Sequence, residues 1–143
     1  MANQYYNFSF DVKINGENIL CDEVLNLSFS SQPVEGAPVD EAQVKDVFEN
    51  VILKRNITKG DNLFFDLWNS RRISHGPQQP IQLIIQLLDD VGAAVVVWSF
   101  FDVFPVRVSF SDFDSQGNAI AKESLELSFG IINVDYIKEN NSN

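Results

Sequence analysis

The chain carries one cysteine, one histidine and one methionine in 143 residues. Each scarcity excludes a class of chemistry. A lone Cys21 forms no internal disulfide. One His and one Cys cannot build a metal site from clusters of those residues. A nucleophilic pair would need Cys21 and His75 to meet, and His75 precedes Gly76-Pro77, a loop context. No Gly-rich phosphate loop, G-x-S-x-G or H-E-x-x-H motif is present. The opening Met-Ala-Asn-Gln-Tyr-Tyr has no basic region and no apolar run, so it does not read as a signal peptide. The most apolar stretch, residues 91–101, falls short of the roughly 20 residues a membrane helix needs. These absences predict no enzyme activity, no cofactor, no metal, no membrane anchor and assembly in the cytoplasm.

Positive charge is also scarce. Ten Lys and Arg face 20 Asp and Glu, for a net charge of -10. Nucleic-acid recognition draws its affinity from phosphate contacts, so specific recognition is not expected. An acidic surface suits instead a conduit to which DNA or acidic cargo should not adhere.

Large apolar side chains are plentiful, with 12 Phe, 3 Tyr and 2 Trp. The length suits a single domain, residues 1–143, with a dense core or a buried interface. Period-two alternation dominates. Tyr6, Phe8, Phe10, Val12 and Ile14 alternate with polar residues and lead into Asn15-Gly16, a hairpin-turn pair. Leu25, Leu27 and Phe29 alternate with Asn26, Ser28 and Ser30 in a second strand. Residues 32–42, with Pro33, Gly36 and Pro38, read as an exposed loop, and strand character resumes over 47–54. Further strands are expected at 81–88, 93–100, 106–111 and 124–129, with turns at 89–92 and 114–118. One helix stands between them. Thr58 or Asp61 can cap it, Phe64, Leu67, Trp68 and Arg71 share a face, and Arg71 and Arg72 suit its C-terminal dipole. Trp68 and Trp98 are expected in the core. The sum is a mainly β protein, a sandwich or barrel of about seven strands with one helix.

Asp112, Asp114, Gln116, Gly117 and Glu123 fall at EF-hand positions 1, 3, 5, 6 and 12. Their flanks alternate with period two rather than forming helices, so the segment reads as a hairpin turn. Several strands carry outer faces of Ser, Asn and Gln. Such a face is ordinary for an antiparallel sheet exposed to water, and it would also suit a smooth aqueous lumen.

Three stretches carry a resemblance. Residues 51–58 (Val-Ile-Leu-Lys-Arg-Asn-Ile-Thr) run into the helix at 61–68 with Asn69-Ser70. Residues 97–106 form a Trp-containing strand ending in an aromatic–Pro pair. Residues 110–120 are followed by Glu-Ser-Leu-Glu-Leu at 123–127. In this order and spacing they resemble the tail tube (inner tube) proteins of contractile injection systems. These are the tubes of contractile-tailed bacteriophages and of phage-tail-like particles. The chain departs from the family at Asn56, where Gly often follows the Lys-Arg pair; a turn is expected there, which Asn tolerates.

The resemblance implies a barrel-like subunit that forms homohexameric rings, stacked as a hollow tube inside a contractile sheath. Its partners would be the sheath, a baseplate or spike hub, a terminator, and cargo in the lumen, either protein or DNA. On this reading Gln32, Pro33, Val34, Glu35, Gly36, Ala37, Pro38, Val39, Asp40 and Glu41 are the ring-stacking loop. Asn26, Ser28, Ser30, Gln82, Gln86, Ser124, Glu126 and Ser128 are lumen candidates. Phe64, Leu67 and Trp68 dock the helix, and Pro105 ends one strand and starts the next. The alternative is a soluble β-barrel that binds a small apolar ligand, which the abundance of Phe allows.

Overall fold

The computed structural model describes residues 8–36, 43–117 and 120–138. These form ten strands and one helix: β1 Ser9–Ile14, β2 Glu17–Ile19, β3 Glu23–Leu25, β4 Phe29–Pro33, β5 Val44–Phe48, β6 Val51–Asn56, α1 Leu63–Ile73, β7 Ile81–Leu88, β8 Ala94–Phe110, β9 Lys122–Ser128 and β10 Ile131–Tyr136. The pairings β1–β2, β1–β7, β7–β8, β8–β10, β3–β6, β6–β9 and β4–β5 are all antiparallel. The described residues gather into two compact units.

The first unit comprises 8–21, 73–104 and 129–138. Its strands run in the order β2-β1-β7-β8, and β10 also pairs with β8. Asn15 and Gly16 both hold positive φ, 51° and 85°, as a tight hairpin between β1 and β2 demands. The turn after β7 closes on Asp89, whose Oδ1 accepts the amides of Val91 and Ala93 at 3.1 and 2.8 Å. Alternation sends Val12, Ile14, Ile81, Leu83, Ile85, Val96, Phe100 and Val103 into a core. The Phe129 ring meets the Phe100 ring edge-on, with centroids 4.9 Å apart.

The second unit comprises the described residues of 22–72 and 105–128. Its strand order is β8-β9-β6-β3, with β4 and β5 as a separate two-stranded sheet. Val51, Leu53, Phe64, Leu125 and Leu127 form its core. Burying side chains of this size stabilises by about 1.5–3 kcal/mol each.

Several expectations change. The presumed strand at 25–30 is two strands, because Asn26 takes a left-handed φ of 67° and breaks the run. The stretch 47–54 is likewise divided between β5 and β6. The segments expected as separate strands on either side of Pro105 are one strand, β8. Pro105 lies buried inside it. A proline removes one ladder N–H but leaves extended φ intact, so the strand continues. The irregularity comes earlier. Ile81 pairs with Val103 and Leu83 with Phe100, so β8 holds one extra residue at a bulge, where Asp102 has φ 56°. Asn56 is not a turn but the last residue of β6, outside the positive-φ region, and its Oδ1 accepts Lys122 Nζ at 3.0 Å. β10 was not anticipated, although Ile132 and Val134 are half-buried in alternation with exposed neighbours.

Candidate assembly surfaces

The helix is seated by one basic residue. Val51, Leu53 and Arg55 share the inward face of β6, and Glu123, Leu125 and Leu127 share that of β9. Arg55 and Glu123 are direct partners in register, and Arg55 Nε donates to Glu123 Oε2 at 2.7 Å. Both are buried, at 5% and 4% exposure. The rest of the guanidinium reaches Asp61 in two 3.1 Å hydrogen bonds. Its carbon lies 4.1 Å from the centre of the Phe64 ring. Asp61 in turn accepts the Leu63 amide at 3.2 Å, so it rather than Thr58 caps the helix start. That backbone hydrogen bond, and then the Arg55 guanidinium, hold the Asp61 carboxyl below the usual aspartate range. A buried ion pair, two charged hydrogen bonds and a cation–π contact thus converge where α1 begins.

Sequence reasoning missed this cluster. The signal was parity: an Arg and a Glu each sit where alternation demands an apolar residue. Glu123 is also the twelfth residue of the EF-hand near-match, and its side chain is committed inward to Arg55. The turn at Asp114 is closed locally, with Gln116 N donating to Asp114 Oδ1 at 3.0 Å and Gly117 N to Asp114 O at 3.0 Å.

Of the helix-docking residues, Phe64 is fully buried, while Leu67 and Trp68 are half-buried. Trp68 contacts the exposed Phe65 ring at 5.9 Å and carries Arg72 over its face at 5.1 Å. Trp98 is half-buried between Ile85 and Val134 of the neighbouring strands, on the same face of β8 as the enclosed Val96 and Phe100 but less covered than either. It is therefore a flank of the core rather than its centre.

The stacking-loop residues divide. Gln32 and Pro33 belong to β4, paired with Lys45 and Val44, because the hairpin ladder extends further than its proline suggested. Val34, Glu35 and Gly36 follow, exposed, with Val34 N donating to Gln43 O at 2.8 Å. Ala37, Pro38, Val39, Asp40 and Glu41 lie outside the described residues. The β4–β5 hairpin is held near its base by Phe29 and Phe48, whose rings meet edge-on at 6.2 Å.

The lumen candidates also divide. Ser124, Glu126 and Ser128 share one face of β9, opposite the buried Leu125 and Leu127. Glu126 Oε2 accepts Asn50 Nδ2 at 2.8 Å. Asn26 and Ser28 lie in the break between β3 and β4, where Asn26 Nδ2 donates to Asn50 O. Ser30 is on β4, its hydroxyl donating to Val47 O at 2.7 Å. Gln82 and Gln86 share the outer face of β7, in the first unit. These residues therefore belong to three separate strand surfaces and a loop.

Each unit also leaves apolar surface uncovered. Ile131 is 53% and Tyr136 71% exposed in the first; Phe110 is 50% and Phe113 77% exposed in the second. Among the described residues, no helix is long and apolar enough to cross a membrane.

Comparison with known proteins identifies the fold. The chain is similar to a protein of the sheath–tube complex of an extracellular contractile injection system, PVC, in its extended state. Identity is 22%, TM-score 0.72, covering 90% of this chain and 88% of that one. It is similar to a chain of the tube-terminating cap of the anti-feeding prophage, at 19% identity and TM-score 0.76, covering 96% and 95%. It is also similar to Hcp1 from Salmonella typhimurium, at 16% identity and TM-score 0.58, covering 90% and 86%. No curated protein sequence matches it. Residues 6–132 match the model of the T4-like virus tail tube protein gp19, and the chain therefore belongs to that tail tube family.

Proposed function

We propose that this protein is the structural subunit of an inner tube in a contractile injection machine. Subunits close into homohexameric rings, and rings stack into a hollow conduit. A surrounding sheath contracts and drives the conduit through a target envelope. The observation that carries this reading is the family match across residues 6–132. Uncovered apolar surface on both units supports it, since a subunit enclosed in an assembly buries such surface against its neighbours. Strand edges left single in the isolated chain are a liability that pairing between copies removes.

The sheath, baseplate and cap are the expected partners. Structural neighbours come from a sheath–tube complex, a baseplate and a tube-terminating cap. No catalytic step is required, and the work is done by sheath contraction. The β4–β5 hairpin connection stacks one ring on the next, and the outer face of β9 is offered to the lumen at Glu126 and Ser128. A net charge of -10 keeps acidic cargo from adhering. Assembly takes place in the cytoplasm, before incorporation into a phage tail or tail-like particle.

Negative-stain electron microscopy of the purified protein at low and high concentration tests the reading. Six-fold rings or stacked tubes are expected. A monomer that stays monomeric at high concentration and in the presence of its sheath overturns it. Removing residues 34–39 should leave rings that do not stack, and long tubes from that variant would reject the hairpin assignment.

A further inference from the structure

The second unit contains a cleft of about 210 Å³ lined by Lys54, Ser109, Phe110, Ser111, Lys122 and Ser124. No carboxylate lines it, although the chain carries twice as many acidic as basic residues. Its two lysines differ. Lys122 Nζ is engaged, donating to Asp22 Oδ2 at 3.2 Å and Asn56 Oδ1 at 3.0 Å. The Lys54 ammonium makes no hydrogen bond or ion pair among the described residues, although Glu23 stands opposite it in register. Three serine hydroxyls add donors, and the half-exposed Phe110 ring forms an apolar wall. One uncommitted ammonium, hydroxyl donors and an apolar side make a receptor for a carboxylate on a short aliphatic stem.

We infer that this cleft receives an Asp or Glu carboxylate from a second copy of this chain. The second-copy occupant rests on the tube reading above. Charge complementarity selects it. Copies with a net charge of -10 repel one another, so close assembly needs local points where a carboxylate meets an unspent cation. Lys54 is such a point, half-buried so that solvent screens it less than an exposed lysine.

The test uses the full chain and Lys54→Gln, which removes a charge that makes no hydrogen bond or ion pair among the described residues. Carbodiimide activates carboxylates and joins them to an ammonium already in contact. Treated wild type should give a dimer band whose digest contains Lys54 linked to an acidic peptide. In Lys54→Gln that band should be lost, with an unchanged melting profile. The concentration needed for assembly should rise about tenfold. A variant that assembles at the wild-type concentration overturns the inference, as do rings whose dimer band carries no Lys54 link; both leave the tube reading standing. A wild type that forms neither rings nor a dimer band overturns the second-copy occupant together with the tube reading.

Discussion

Arg55 and Glu123 face each other across adjacent strands, both enclosed, with 2.7 Å between Nε and Oε2. Two charges stand where the alternation of β6 and β9 otherwise places only Val and Leu. The guanidinium spends its remaining donors on Asp61 and its face on Phe64. The start of the helix is thereby fastened to the sheet through one side chain.

Breaking this pair on one side leaves a buried charge uncompensated. Arg55→Met and Glu123→Gln should each destabilise by about 3–5 kcal/mol, read by urea denaturation. The double replacement Arg55→Met with Glu123→Leu should cost far less than the two single changes summed, because no buried charge is left unpaired. Additive losses would show that the two groups act independently.

Asp61 predicts an acid dependence. Its carboxyl titrates lower when folded than when unfolded, because the ionised form accepts the Leu63 amide and the Arg55 guanidinium. Its contribution is therefore complete above the unfolded value, about 3.9, and is lost as pH falls through the lower folded value. Asp61→Asn should flatten the decline of melting temperature below about pH 4 while lowering stability at neutral pH. The Asp61 side chain is 44% exposed, so solvent screening keeps the effect modest. An unchanged acid profile in the variant would reject this assignment.

Core position should grade the aromatic residues. Phe100 is fully enclosed and Phe100→Ala should cost about 3–5 kcal/mol. Trp98 is half-buried, so Trp98→Ala should cost less, about 2 kcal/mol, and the variant should still fold. Chemical denaturation of both variants gives the order; a Trp98→Ala chain that does not fold would place that ring at the centre of the core.

The bulge at Asp102 makes a backbone prediction. With φ at 56°, Asp102→Gly should be neutral or slightly stabilising, whereas a β-branched Val there should cost about 1–3 kcal/mol. Gly130 lies against it, and a Cβ on Gly130 would meet the Asp102 Cβ at 3.4 Å. Equal melting temperatures for Asp102→Gly and Asp102→Val would argue against strain at this position.

Local sequence determined the elements wherever adjacent residues decide the outcome. Alternation marks β1, β7 and β9, Asn15-Gly16 marks a hairpin, and Asp61 with Arg71 and Arg72 marks the ends of the helix. Their causes lie within a few residues: pleat periodicity, positive φ, capping and dipole complementarity. The three stretches that resemble tail tube proteins were legible for the same reason, being runs of contiguous residues. Tertiary structure decided what depends on distant partners. Pro105 stays inside β8, because the extended conformation on both sides needs only φ, not the missing N–H. Asn26 ends β3 through a left-handed backbone that alternation does not reveal. The pairing of Arg55 with Glu123, and of Lys54 with Lys122 in one cleft, joins residues 68 positions apart in each case. Only the register of β6 against β9 brings them together, and register is a property of the folded sheet.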